Sequence, residues 1–199
     1  MSLTTWLAFA ATAALLIPTP GQTVLFVIGH TLAHGIRDVV SIAFGVMTGN
    51  AVAMTVCFAG LGALLATNAT LFASLRWVGA GYLIFLAIRL WQGSTNIKVG
   101  EAPEGRSPFL QTFLLMVLNP NALTFFIALA PQFIDPSRDV LPQFAVMEAT
   151  FVLLSGVNVL FYSFATNRLR HSVGNPTALA WLNRAAALSL IVVALVAIF

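Results

Sequence analysis

Apolar runs of about 20 residues recur along almost the whole chain, each long enough to cross the hydrocarbon of a bilayer as a helix. In lipid every backbone amide and carbonyl must find a partner within the protein, which leaves helices as the form such runs take. Of the 199 residues 59% are hydrophobic and 8% charged, against roughly 25% charged in a soluble domain. The chain reads as an all-α polytopic membrane protein, one membrane domain over 1–199 with no room for a soluble domain beside its spans. Six spans are expected, at about 3–29, 39–65, 71–91, 109–130, 142–165 and 178–199. The first has no basic residues before its apolar stretch and continues to Ile28, so it reads as an uncleaved span rather than a signal peptide.

Two of these runs are interrupted by polar, helix-breaking sequence. Pro18-Thr19-Pro20-Gly21-Gln22-Thr23 splits the first, and Asn119-Pro120-Asn121 splits the fourth. Prolines and a glycine at membrane depth free backbone groups that lipid cannot satisfy. Thr19-Pro20 and Asn119-Pro120 each set a capping residue before a proline, the preferred start of a helix. Each broken span is thereby expected to hold a helix N-terminus inside the membrane, whose amides and dipole suit a carboxylate. Paired breaks in matching positions of two halves point to a transporter binding site. The plainer alternative is a pair of proline kinks that shape the bundle.

Several spacings relate the two halves. Pro20 and Pro120 are 100 positions apart, Arg37-Asp38 and Arg138-Asp139 101, and Trp77 and Trp181 104. Repeat 1 (about 1–91) and repeat 2 (about 109–199) are joined by the polar linker of about 92–108. Three spans per half make the second copy enter from the opposite side, an inverted-topology repeat with helices 1 and 4 broken at Pro20 and Pro120. Arg37, Arg89, Lys98, Arg106, Arg168, Arg170 and Arg184 collect on one side, against Arg76 and Arg138 on the other. Basic residues favour the cytoplasmic face, so the linker is expected inside and both termini in the periplasm.

Few residues at depth carry chemistry. Glu148 is the one acid well inside a span, and an intramembrane carboxyl is a functional candidate by default. It shares a polar stripe on span 5 with Ser155, Asn158 and Tyr162, which suits either a coupling proton or a substrate ammonium. Asn50 adds a polar group in span 2, beside the small-residue stripe Ser41, Gly45, Gly49, Ala53 and Cys57. That stripe allows close helix approach, within one chain or between the copies of a homodimer. His30 and His34 have i, i+4 spacing without the intervening glutamate of a zinc protease, so a loop role is expected and no metal. A lone cysteine, Cys57, excludes a disulfide framework. Neither nucleophile motifs nor phosphate-binding loops are present, so neither an enzyme nor a bound cofactor is expected, and the basic loop residues orient the chain rather than bind nucleic acid.

Thr19-Pro20-Gly21, Gly45 and Gly49, Gly79-Ala80-Gly81-Tyr82-Leu83, Leu118-Asn119-Pro120 and Pro131-Gln132-Phe133 together resemble the lysine exporter and homoserine/threonine efflux (LysE/RhtB) family. The resemblance implies a small bacterial inner-membrane protein that exports amino acids or their analogues on the proton gradient. This chain departs from the family pattern at Gln22, Asn50 and Asn121, where proline, an acid and lysine are usual.

The sequence reading is therefore a secondary transporter of a small amino acid or related zwitterion. Thr19, Pro20, Gly21, Gln22, Thr23, Asn50, Tyr82, Asn119, Pro120, Asn121 and Asn158 are expected to bind substrate, and Glu148 to take the ammonium or the coupling proton. The rivals are a carrier of another metabolite or cation, and a membrane scaffold or intramembrane enzyme. Scarce carboxylates and soft ligands at depth weigh against cation cargo.

Overall fold

The computed structural model describes residues 1–18, 22–91, 107–118 and 120–168, together with 184, 188 and 191. Among these the chain forms seven helices: α1 (Leu3–Leu16), α2 (Gln22–His34), α3 (Val39–Thr67), α4 (Ala69–Trp91), α5 (Pro108–Val117), α6 (Pro120–Phe133) and α7 (Val140–Arg168). The expected spans 1 and 4 are each two helices, α1 with α2 and α5 with α6. Thr19, Pro20, Gly21, Asn119, the linker at 92–106 and nearly all of the expected sixth span lie outside the described residues.

Local chemistry accounts for most helix ends. The Ser2 hydroxyl accepts from the Thr5 amide to cap α1, and Ser107 accepts from Leu110 ahead of Pro108 to start α5. Asn68 turns the chain from α3 into α4, its side chain accepting from the Leu71 amide at 2.9 Å. The turn between α6 and α7 is tied by Gln143, whose amide exchanges bonds with the Asp135 backbone at 3.0 and 2.9 Å. In that turn the Ser137 hydroxyl and amide donate to the Asp135 carboxylate, holding its pKa below the usual carboxylate value. Two boundaries differ from the sequence reading. The first apolar segment stays helical as far as His34, and α6 runs through Pro131 to Phe133. Pro131 has no amide to offer the Ile127 carbonyl, so α6 gives up a bond in its last turn and ends two residues later.

Two pairs of helices match across the chain in length or in offset. Helices α3 and α7 are both 29 residues long and begin 101 positions apart, directly after Asp38 and Asp139. Helices α1 and α5 end at Leu16 and Val117, also 101 apart. By length and composition α3 and α7 are long and apolar enough to cross a membrane. Phe44, Val56, Leu153 and Phe161 on their outer faces are more than half exposed, a surface that suits hydrocarbon.

Contacts fix the directions of these helices. Gly45 of α3 lies against Phe109 and Thr112, and Gly49 against Phe113 and Met116. Helix α5 therefore runs alongside α3 in the same sense. Gly156 of α7 meets Met47, while Gly62 meets Phe144, so α7 runs against α3. Trp6 donates its indole N–H to the Thr150 hydroxyl at 3.0 Å, and Ile17 lies against Asn158. Helix α1 thus follows α7. Arg37 and Arg168 share one end of the bundle with the start of α5, and Arg138 lies at the other. The Arg184 guanidinium sits 5.8 Å from the Trp91 ring centroid at the end of α4.

The α3–α5 seam depends on the absence of side chains. A Cβ on Gly45 would strike the Phe109 carbonyl and the Thr112 hydroxyl, and one on Gly49 would lie 2.8 Å from the Phe113 carbonyl. Thr112 fills the seam and donates to the carbonyls of Pro108 and Ile42. Gly49→Leu is expected to destabilise the protein by about 1–3 kcal/mol, the usual cost of overpacking, read as a lower Tm in detergent.

Candidate functional site

Two apolar clusters divide the interior. The larger gathers Phe9 and Ala13 of α1, Ala53 to Leu61 of α3, Phe126 to Phe133 of α6, and Phe144, Met147 and Phe151 of α7. Its rings pack edge to face, Phe9 on Phe133 at 5.4 Å and Phe126 on Phe151 at 5.0 Å. The smaller joins Val27 of α2, Val39 to Val46 of α3, Met116 of α5 and Val159 of α7. Both long helices pass from one cluster to the other across a short interval, which holds Gly49 and Asn50 on α3 and Ser155, Gly156 and Asn158 on α7. On the broken spans α1 and α6 belong to the larger cluster and α2 and α5 to the smaller.

The interval is where the polar groups meet. Thr23, in the first turn of α2, directs its hydroxyl to the Met116 sulfur near the end of α5 at 3.5 Å, which brings the two breaks together. Asn50 is buried, and the Ser155 hydroxyl turns back to the Val152 carbonyl. Helix α6 begins on Pro120, as the Asn-Pro pair anticipates. Gln22 and Asn121 fall in the first turns of α2 and α6.

Helix α7 completes the first break. Proline 18 has no N–H to offer the Ala14 carbonyl, and α1 ends there. The Tyr162 hydroxyl donates to the Pro18 carbonyl at 2.8 Å and the Asn158 amide to the Ile17 carbonyl at 3.4 Å. Tyr162 and Asn158 are one turn apart, so they share a face. The sequence reading placed Tyr162 on a polar stripe without assigning it to the site. The signal was available: a helix that stops at a proline leaves its last carbonyls without amides from a following turn, and a donor on a neighbouring helix can reach them.

Two expected site residues lie elsewhere. Glu148 accepts from the Thr55 hydroxyl at 2.9 Å. It stands between Met147 and Phe151, at the level of the larger apolar cluster, ten residues before Asn158. Ten helical residues separate the two by roughly 15 Å along the axis. Tyr82 packs against the larger cluster rather than within the polar interval. His30 pairs with Asp38 at 3.0 Å and stacks between Phe26 and His34, bracing the α2–α3 turn. Among the described residues no group of three metal-ligating side chains comes together.

An apolar helical bundle whose two interrupted helices open onto one buried polar interval is the build of a membrane translocator. The chain belongs to the LysE type translocator family, whose sequence pattern matches residues 14–199. It is therefore a membrane protein that moves solutes, and not an enzyme. It is 29% identical over 187 residues to an uncharacterized membrane protein of Vibrio cholerae, covering 92% of this chain and 91% of that one. It is 29% identical over 183 residues to the homoserine/homoserine lactone efflux protein of Salmonella typhimurium, covering 90% and 89%. It is 30% identical over 155 residues to the leucine efflux protein of an Enterobacter species, covering 75% and 74%. No solved structure matches the chain.

Removing the hydroxyl that serves Pro18 should be felt in the fold. Tyr162→Phe is expected to lower stability by about 1 kcal/mol, the scale of hydrogen bonds between membrane helices. Thermal unfolding in detergent measures it, with Phe161→Leu on the exposed face as a control of little effect.

Proposed function

We propose that the protein exports small α-amino compounds, amino acids and their close derivatives, across the bacterial inner membrane in exchange for protons. The observation that carries this reading is the meeting of the two breaks in one buried polar interval between apolar clusters. Cargo held there is screened from both ends of the bundle, as alternating access requires.

The relatives' names support the cargo class. Leucine and homoserine are α-amino acids, and homoserine lactone is an α-amino ester without a free carboxylate. A primary ammonium beside a carbonyl is what the three have in common. The amide ends at Thr19, Pro20, Gly21, Gln22 and Thr23 and at Asn119, Pro120 and Asn121 are the groups for the carbonyl or carboxylate oxygens. In this reading Asn50 contributes to the lining from between the clusters, and Tyr82 from its place against the larger one. Glu148 carries the coupling proton, since its distance from the breaks suits a relay better than a direct contact with cargo.

Six spans in two inverted halves, with both termini in the periplasm, form the frame of this reading. The matched length and offset of α3 with α7 and the matched end of α1 with α5 support it, as do the senses in which these helices run. Arg37 and Arg168 at one end, with Arg184 by Trp91, support a cytoplasmic linker side.

A ligand that binds the native protein raises its apparent stability in step with occupancy. L-Leucine, L-homoserine and homoserine lactone are each expected to raise the Tm of the detergent-solubilised protein in a concentration-dependent way. Silence toward all three would sink the cargo class. Efflux from loaded proteoliposomes tests the coupling: Glu148→Gln should abolish the dependence of rate on an imposed pH gradient. Wild-type rate and pH response in that variant would remove Glu148 from the coupling path.

A further inference from the structure

We infer that the Asn50 carboxamide reads the α-amino carbonyl of the cargo, accepting from the ammonium and donating to the adjoining carbonyl or carboxylate oxygen. This rests on the export reading above and names the side chain that recognises the feature common to that cargo class.

The position of Asn50 follows from its neighbours on α3. Val46, Asn50, Ala53 and Cys57 recur at i, i+4, i+7 and i+11, one face of the helix. Val46 packs in the smaller cluster with Met116, near the end of α5. Cys57 directs its thiol to the Leu123 carbonyl, in the first turn of α6, at 3.8 Å. Between those two levels this face of α3 stands opposite the second break. Gly49, directly before Asn50, lies against Met116. The Thr23 hydroxyl reaches the same Met116 from the first turn of α2. Asn50 is thus set at the level where the starts of α2 and α6 approach each other.

Hydrogen bonding sets Asn50 apart from its surroundings. It is 5% exposed, and its side chain has no hydrogen-bond partner among the described residues. The polar groups around it are engaged: Thr23 with the Met116 sulfur, Ser155 with the Val152 carbonyl and Asn158 with the Ile17 carbonyl. Gln143 shows what a buried carboxamide does when its task is structural. It accepts from the Asp135 amide and donates to the Asp135 and Asp139 carbonyls. Asn50 does none of this. A buried amide left unpaired destabilises the protein that holds it, and a ligand that pairs it removes that penalty.

The pairing has a defined chemistry. A carboxamide sets an acceptor and a donor side by side. An α-amino carbonyl compound sets a donor, its ammonium, beside an acceptor, its carbonyl or carboxylate oxygen. The two edges are complementary, and neither involves the side chain of the cargo. Because Asn50 is uncharged, it suits a zwitterion as well as a lactone. An aspartate there would keep the acceptor, lose the donor and set a negative charge against a carboxylate. The amide ends of α2 and α6 supply further donors to the same oxygen.

Thermal unfolding and calorimetric titration of the purified full-length protein test this, with L-leucine and homoserine lactone as probes. Without ligand, Asn50→Leu is expected to melt no lower than the wild type, because it removes an unpaired amide and keeps its branched outline. Asn50→Leu and Asn50→Ala should each bind L-leucine about tenfold more weakly, the loss expected for a hydrogen bond to a charged group. Asn50→Asp should shift preference about tenfold from L-leucine toward homoserine lactone, which has no carboxylate to repel. If ligand-free Asn50→Leu and Asn50→Ala both melt well below the wild type, Asn50 serves the bundle and the inference fails. If both bind L-leucine as the wild type does, or Asn50→Asp keeps the wild-type preference, the role of Asn50 is overturned and the export reading stands. If the wild type binds neither probe, the inference and the cargo class fall together.

Discussion

A buried backbone carbonyl without a donor is the constraint on which this architecture turns. In water the last carbonyls of α1 would be served by solvent. In an apolar bundle they must be served by the protein, at a cost of roughly 1–3 kcal/mol for each group left unpaired. For Ile17 and Pro18 the donors come from α7, Asn158 and Tyr162. Those bonds hold α7 beside α1 and set their relative height. The second break is tied to the first through Thr23 and Met116. What looks locally like a defect in two helices thereby becomes the point at which four helices are registered against one another.

The apolar clusters act around that point in a complementary way. Phe9, Phe126, Phe133 and Phe151 pack closely on the side where α1 begins. Smaller β-branched residues, Val27, Val39, Ile42, Val46 and Val159, form the other cluster. Met116 of the smaller cluster reaches the polar interval, its sulfur accepting from the Thr23 hydroxyl. Segregation by height, rather than by face, fits α3 and α7, which are apolar nearly all round and yet carry Asn50 and Ser155 between the clusters.

Much of this was readable from residue order. The prolines and the Asn119-Pro120 pair announced both interruptions, and α6 begins on Pro120. The offset of 101 between Asp38 and Asp139 anticipated that α3 and α7 begin in step. Gly45 and Gly49 announced a close contact, and the contact exists. The sequence could not say which helix they touch, because periodicity reports the facing of a side chain on its own helix and nothing of the register between helices. For the same reason Glu148, Ser155, Asn158 and Tyr162 looked like one stripe. Between antiparallel and parallel neighbours that stripe divides, Glu148 turning to Thr55 of α3 and the last two to the end of α1. Tyr82, expected among the lining residues, packs against the larger cluster. Membership of the translocator family, which covers residues 14–199, agrees with the class that these features describe.

The glycine seam between α3 and α5 has a mechanical meaning. Side chains between two helices behave as bearings, since rotamer changes let one surface slip past another. At Gly45 and Gly49 there are no bearings: backbone rests on backbone, with the Thr112 hydroxyl keyed into the gap. Such a joint resists sliding. It also joins the two halves of the chain, one helix from each side of the linker. Any rearrangement that slides α5 along α3 has to open this joint first. A second bare contact, Gly79 of α4 on the Ala128 carbonyl of α6, holds the next helix in the same way. Both helices that flank the second break are thus pinned backbone to backbone, and neither is free to slip past its neighbour.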